Sequence, residues 1–222
     1  MGAPGNAGAM IGPVFRDREE AGSRLAVAVA DRVSGPVTVL AIPRGGVAVG
    51  VPVAMALRAP LDVVIPRKLG APDNPELAIG AVAPGVMVLN ERAVRQLGVP
   101  RDYIEQEAAR QEAEIARREA AYRGGRAPAP VAGRTVVVVD DGVATGATAV
   151  AALRWARATG ADRVVFAAPV GPPSAPAHLE PEADDVVLLE APVRFLAVGE
   201  WYRDFEQVSD EEVVAMLREA GA

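Results

Sequence analysis

Four consecutive valines, Val136–Val139, run straight into Asp140 and Asp141 and then into Gly142, Val143, Ala144, Thr145, Gly146, Ala147 and Thr148. An apolar run without alternation describes a strand buried on both faces, the hallmark of a parallel sheet covered by helices on each side. The two acids then emerge at the carboxyl end of that strand, where open α/β sheets hold their ligands. The loop that follows has small side chains and unobstructed backbone N–H groups. It feeds a segment of helical character from about 147 to 159. A helix N-terminus behind a nest of free donors favours phosphate, and Thr145 and Thr148 add hydroxyls. Two carboxylates for a diol beside a phosphate cradle match a ribose 5-phosphate. A buried strand ending in an acidic turn is the plainer alternative, and the added TGxT makes the pattern much more specific. The GxxxxGK[ST] pattern of a P-loop is absent from this segment.

The rest of the chain repeats the theme. Helical periodicity covers 16–33, and 37–46 reads as an apolar strand entering the loop Pro43-Arg44-Gly45-Gly46. Residues 47–57 suit a helix that Pro52 starts or interrupts. A strand is expected over 62–69, then turn formers over 70–76, then two short strands about Pro84-Gly85. Residues 100–123 form the longest helical pattern, with Arg110/Glu114 and Glu114/Arg118 as i,i+4 pairs on a solvated face. After a linker at 124–133 come strands at 135–140, 162–171 and 185–192. A loop-like tail over 193–208 leads to a helix capped by Ser209 with Glu212. The expected architecture is α/β: a central, mostly parallel sheet flanked by helices in one domain over 14–222, preceded by a flexible leader at 1–13. Either Met1 or Met10 suits the natural start.

Composition limits the partners. The net charge is −6 with a pI near 5.0, which argues against nucleic acid. No apolar run approaches the ~18 residues of a membrane span, and the N-terminus lacks the marks of a signal peptide. There are no cysteines, so disulfides and Cys-based metal sites are excluded, and a cytoplasmic location is expected. Of 23 basic residues only Lys68 is lysine, a compact point charge where an arginine fork fills every other position. His178, the one histidine, follows a proline-rich turn and reads as a surface residue.

At 136–148 the sequence resembles the 5-phosphoribosyl-1-pyrophosphate (PRPP) signature of type I phosphoribosyltransferases, and the resemblance extends in order over most of the chain. IPRGG at 42–46 stands where that family has its pyrophosphate loop, and Arg67-Lys68 where several members begin a mobile lid. Uncharacterised bacterial proteins with PRGG, RKLGAP and a VGxxYxDF tail are the most similar group. The resemblance implies the type I phosphoribosyltransferase fold, with a small hood formed by terminal segments, including about 193–208. It also implies Mg²⁺, PRPP and a nucleobase-like acceptor as partners, and a homodimer.

Roles follow residue by residue from the same resemblance. Asp140 and Asp141 would hold the ribose hydroxyls and stand near the water shell of a Mg²⁺ held mainly by PRPP; Gly142 to Thr148 would hold the 5-phosphate. Arg44, Gly45, Gly46 and Lys68 would hold pyrophosphate, with Lys68 and Arg67 on the lid. Glu76 is the nearest analogue of a lid acid that protonates the base. Phe195, Trp201, Tyr202 or Phe205 would stack on the base and Asp204 would bond its edge. Two departures disfavour hypoxanthine and guanine: Ala144 replaces the aspartate usual before TG, and no lysine follows Lys68. The implied activity is transfer of phosphoribosyl to a nucleobase or related heterocycle. The alternative is a PRPP-sensing regulator without turnover.

Overall fold

Strand β6 (Thr135–Val139) fulfils the central expectation, with every valine buried. Because side chains alternate along a strand, Val136 and Val138 enter one apolar cluster and Val137 and Val139 another. The first cluster lies under α5 (Ala147–Ala158), and the second under α1 (Arg18–Ala30) and α2 (Gly45–Leu57). The computed structural model of the chain describes residues 12–221, except for the side chain of Glu76. Nearly all of the expected leader therefore lies outside the described residues.

β1 (Val37–Ala41), β2 (Leu61–Val63), β6, β7 (Arg163–Val170) and β8 (Asp185–Glu190) form one parallel sheet in the order β2-β1-β6-β7-β8. The chain winds outward from β1 to β2 in one direction and from β6 to β8 in the other. The switch point, where such sheets open a ligand crevice, is therefore between β1 and β6. The last residues of these strands, Ala41 and Val139, are register partners, so both following loops leave at the same level.

α2 continues through Pro52. The cost of a helical proline is about 3 kcal/mol, and here the helix is held by burial of Val47, Val49 and Val53 and by close packing on α1. Gly22 permits that approach: a Cβ there would lie 2.5 Å from the Val49 carbonyl oxygen.

The expected strand over 62–69 is instead two strands in different sheets. Pro66 cannot donate to a ladder, and the chain breaks there. β3 (Arg67–Ala71) then opens a separate antiparallel sheet with β4 (Asn74–Ala83) and β5 (Val86–Leu89). The Pro84-Gly85 turn is as expected, with Gly85 at φ 69°. This small sheet packs on α5 through Ala81, Ala83 and Ala151.

Between β5 and β6 in the chain come α3 (Glu91–Leu97) and the 23-residue α4 (Arg101–Arg123). α4 buries a stripe at Ile104, Glu107, Gln111, Ile115 and Tyr122, the spacing of one helical face. Glu114 pairs with Arg118 as expected, but also with Arg117, each at 2.7 Å. Arg110 turns to Glu107 at 2.7 Å instead of to Glu114, because Glu107 is fixed on the buried edge of the stripe. After the short α6 (Ala175–Leu179), the tail carries a 3₁₀ turn at Val198–Trp201. It ends in α7 (Asp210–Ala220) with the Ser209/Glu212 capping box.

Candidate functional site

The loops after β1 and β6 interlock at the switch point through glycines. A Cβ on Gly45 would lie 1.9 Å from Asp141 Oδ2, and one on Gly46 would lie 2.8 Å from the Val139 carbonyl oxygen. Neither position tolerates a side chain without displacing the acidic loop. The Pro43–Arg44 peptide is cis. The half-buried Arg44 guanidinium stands 3.8 Å from Asp210 Oδ1, which also accepts a 2.6 Å hydrogen bond from the Tyr122 hydroxyl. Burial and that carboxylate push Tyr122 up to about 12.

The two acids are not equivalent. Asp141 Oδ2 accepts from Arg18 Nε at 2.8 Å, with both side chains largely buried. The same arginine donates to the Glu206 carbonyl at 2.8 Å and lies 3.8 Å over the Phe205 ring. The Asp141 carbonyl in turn accepts from the Tyr202 hydroxyl at 2.6 Å. Asp140 Oδ1 accepts the Asp141 backbone N–H, at 2.9 Å, its carboxyl lies beside that of Asp141, and it has no ion pair among the described residues. Burial raises both carboxyls above their ordinary value. For Asp140 the neighbouring Asp141 charge adds to the effect, whereas Arg18 opposes it for Asp141. The Arg18 clamp had no signal in the sequence, since arginines are everywhere in it.

Gly146, at φ 78°, caps α5 in the left-handed region that glycine favours. Ala144 and Thr145 are exposed, while Ala147 and Thr148 begin the helix half-buried. The Val143 N–H is taken by the Val170 carbonyl at 2.9 Å. A cavity of about 310 Å³ lies between Val143–Gly146 and the side of α6 that carries Ser174 and His178. His178 is exposed as expected, yet its ring stands against the loop: a Cβ on Gly146 would meet its Cδ2 at 2.8 Å.

Arg67 and Lys68 open β3 and line a second cavity of about 410 Å³, shared with Arg110 on α4 and Thr148 on α5. Arg67 Nε donates to Gln111 Oε1 at 3.0 Å. Burial, then the charge of Arg118, lowers the Arg67 pKa. Lys68 is exposed and has no ion pair among the described residues. Glu76 falls in β4, but its side chain lies outside the described residues.

The tail closes over the acidic loop, and a Cβ on Gly142 would lie 2.4 Å from Val198 Cγ1. The expected stacking aromatics are mostly committed elsewhere. Trp201 and Tyr202 are buried in a cluster with Phe15, and Phe195 packs against it. Phe205 lies under the Arg18 guanidinium. Trp201 and Tyr202 are enclosed by this packing, whereas Phe195 is half-buried and Phe205 keeps 36% of its surface exposed. Asp204 is exposed, and its Oδ1 accepts from the Glu206 N–H at 3.3 Å. Among the described residues no group of three His, Cys, Asp or Glu side chains is placed to hold a metal, and no helix is long and apolar enough to cross a membrane.

A model of the phosphoribosyl transferase domain matches residues 19–203. Proteins from two Mycobacterium tuberculosis strains, named provisionally as phosphoribosyl transferases, are 49% identical over 208 residues, covering 93% of this chain. The chain spans about half the length of these curated relatives, 47%. The crystal structure of TT1426 from Thermus thermophilus is 48% identical, with a TM-score of 0.80, covering 94% of this chain and 99% of that one.

Proposed function

Because the chain belongs to the family of phosphoribosyl transferase domains, we propose that it transfers the 5-phosphoribosyl group of PRPP to a nucleobase or related heterocycle, releasing pyrophosphate. The observation that supports the reading is the interlocked pair of loops at the switch point: Gly45 and Gly46 pack against the acidic loop, where Asp140 has no ion pair among the described residues.

In this reading the 5-phosphate rests on the N-terminus of α5, with Thr145 and Thr148 as hydroxyl donors. Asp140 accepts from the ribose diol. Asp141, clamped by Arg18 and Tyr202, fixes the loop on which Asp140 stands. As the acceptor nitrogen attacks C1 and the C1–O bond to pyrophosphate breaks, positive charge spreads over the ribose ring and negative charge grows on the leaving group. Asp140 faces the first charge; Arg44, the loop N–H groups and Lys68 face the second. Asp140 and Asp141 would stand near a Mg²⁺ held mainly by PRPP, since the ion takes one or two carboxylates with substrate phosphates. When bound it neutralises the pyrophosphate. A lid formed by the β3–β4 segment would keep water from hydrolysing PRPP. A cytoplasmic homodimer is part of the same reading.

The test is pyrophosphate release from PRPP and Mg²⁺ across a panel of purines, pyrimidines and small heterocycles, with an Asp140→Asn/Asp141→Asn variant as control. We expect release with one acceptor, lost in the variant. PRPP binding with no release across the panel would point instead to a PRPP-sensing protein.

A further inference from the structure

Arg44 stands where the loop after β1 enters α2, and its backbone is set by the close fit of Gly45 and Gly46 against the acidic loop. Its side chain is not set by that fit. The guanidinium makes no hydrogen bond among the described residues, and the carboxylate within ion-pair distance is that of Asp210, 3.8 Å from Nη1. Asp210 comes from a distant part of the chain, the first position of α7. Two contacts hold it there. α7 buries Val213 and Leu217 in the core, and the Tyr122 hydroxyl, near the end of α4, donates to Asp210 Oδ1 at 2.6 Å. Burial, then that carboxylate, pushes Tyr122 up to about 12, so the donor keeps its proton at ordinary pH. Arg117 and Arg118 of α4, whose charges also reach Asp210, pair with Glu114 instead.

A free arginine gives up rotamer freedom when it grips an anion, and a partner that orients it beforehand lessens that loss. At 3.8 Å Asp210 lies beyond hydrogen-bond length. It therefore attracts the guanidinium without occupying its donors, which stay open to a ligand. A carboxylate has the wrong sign to bind a phosphate itself, so its place beside Arg44 is accounted for by the arginine. Tyr122 completes the arrangement by fixing one oxygen of the carboxylate to a buried ring.

We propose that Asp210, anchored by Tyr122, is a positioning residue: it orients the Arg44 guanidinium before the ligand arrives, and so makes α7 and the end of α4 part of the machinery of the site. The proposal rests on the reading given above, in which Arg44 faces the leaving pyrophosphate.

Binding of inorganic pyrophosphate with Mg²⁺, and separately of ribose 5-phosphate, measured by calorimetry on the full chain, tests this. The Asp210 side chain is 42% exposed and the Ser209/Glu212 capping box does not involve it, so Asp210→Asn leaves α7 in place. The sign of the effect is decisive. A bystander acid repels an anion, and its removal would tighten pyrophosphate; removal of a positioning acid weakens it. Asp210→Asn should weaken pyrophosphate roughly three- to tenfold, the range for ordering one long side chain, and leave ribose 5-phosphate unchanged. Tyr122→Phe keeps the ring and the charge of Asp210, and should also weaken pyrophosphate. Glu211→Gln, the same charge change at an exposed neighbour in the first turn of α7, should not. Arg44→Gln should weaken pyrophosphate, and Asp210→Asn added to it should weaken it no further, since the two act as one unit. Unchanged or tighter pyrophosphate in Asp210→Asn or Tyr122→Phe would overturn the proposal. So would an equal loss of ribose 5-phosphate, or a loss that persists in the Arg44→Gln background. In each of these cases a weakened Arg44→Gln spares the enzyme reading. If the wild type binds no pyrophosphate, or Arg44→Gln binds it as the wild type does, the role of Arg44 fails and the proposal falls with it.

Discussion

At the scale of single residues, Asp140 is held where its neutral form is favoured. Its carboxyl is withdrawn from water next to a second carboxyl that already has Arg18. The folded-state pKa is therefore raised above the unfolded value of about 3.9. Between the two values the folded chain binds the additional proton, so stability falls as pH rises through that window. The contribution is fully present below the unfolded pKa and is lost once pH passes the raised one. Asp140→Asn keeps an oxygen for the Asp141 N–H and removes the charge. By calorimetry at pH 7 to 8 we expect its Tm to rise by roughly 2–4 °C, the effect of about 1 kcal/mol in a chain of this size. The rise should vanish toward pH 4, and turnover should be lost at every pH. A variant that melts below the wild type at pH 8 would show that Asp140 is a stabilising acid and not a functional one.

At the scale of elements, the parallel strands were legible because their burial on both faces leaves no choice of residue type: Val136–Val139 can be little else. The acids at the end of β6 and the glycines after β1 were legible for a related reason, since close approach of two loops forbids side chains there. The small sheet was not. The apolar pattern over 62–69 cannot reveal that the chain leaves β2 after Val63 and crosses to a second sheet at Pro66. Nor can a mixed-charge pattern reveal that Glu107 and Gln111 face inward. These polar contacts decide how firmly β3 is held, because α4 grips it through the Tyr103 hydroxyl, which donates to the Gly70 carbonyl at 3.0 Å, and through Gln111 on Arg67. Tyr103→Phe removes the first contact and leaves the ring. Its expected cost is about 1 kcal/mol. Amide hydrogen exchange should quicken over 67–71 and stay unchanged in β6, as local opening does not require global unfolding. Unchanged exchange in β3 would mean that the sheet is held by α5 alone.

At the scale of the whole molecule, segments from both ends of the described chain meet behind the site. Val14 and Phe15 donate backbone hydrogen bonds to the Trp201 carbonyl, and the Arg203 N–H returns one to Phe15. Phe15, fully buried, stacks at 5.4 Å on Tyr202, whose hydroxyl holds the Asp141 carbonyl. If the acidic loop binds the ribose as proposed, stability and ligand affinity are linked through one ring. Phe15→Ala should cost about 3–5 kcal/mol as a buried aromatic truncation, and Tyr202→Phe about 1 kcal/mol. If the phenyl ring of Phe15 positions the Tyr202 hydroxyl, the two changes are not additive. The double variant should lose less than the sum of the single ones by at least about 0.5 kcal/mol, the usual sign of residues in contact. The same cycle read by ribose 5-phosphate affinity should show each single change weakening the ligand and the second change adding little. Additive losses in both readouts would separate the two ends of the chain energetically. The terminal cluster would then be a fastening for the tail, with no part in setting the acidic loop.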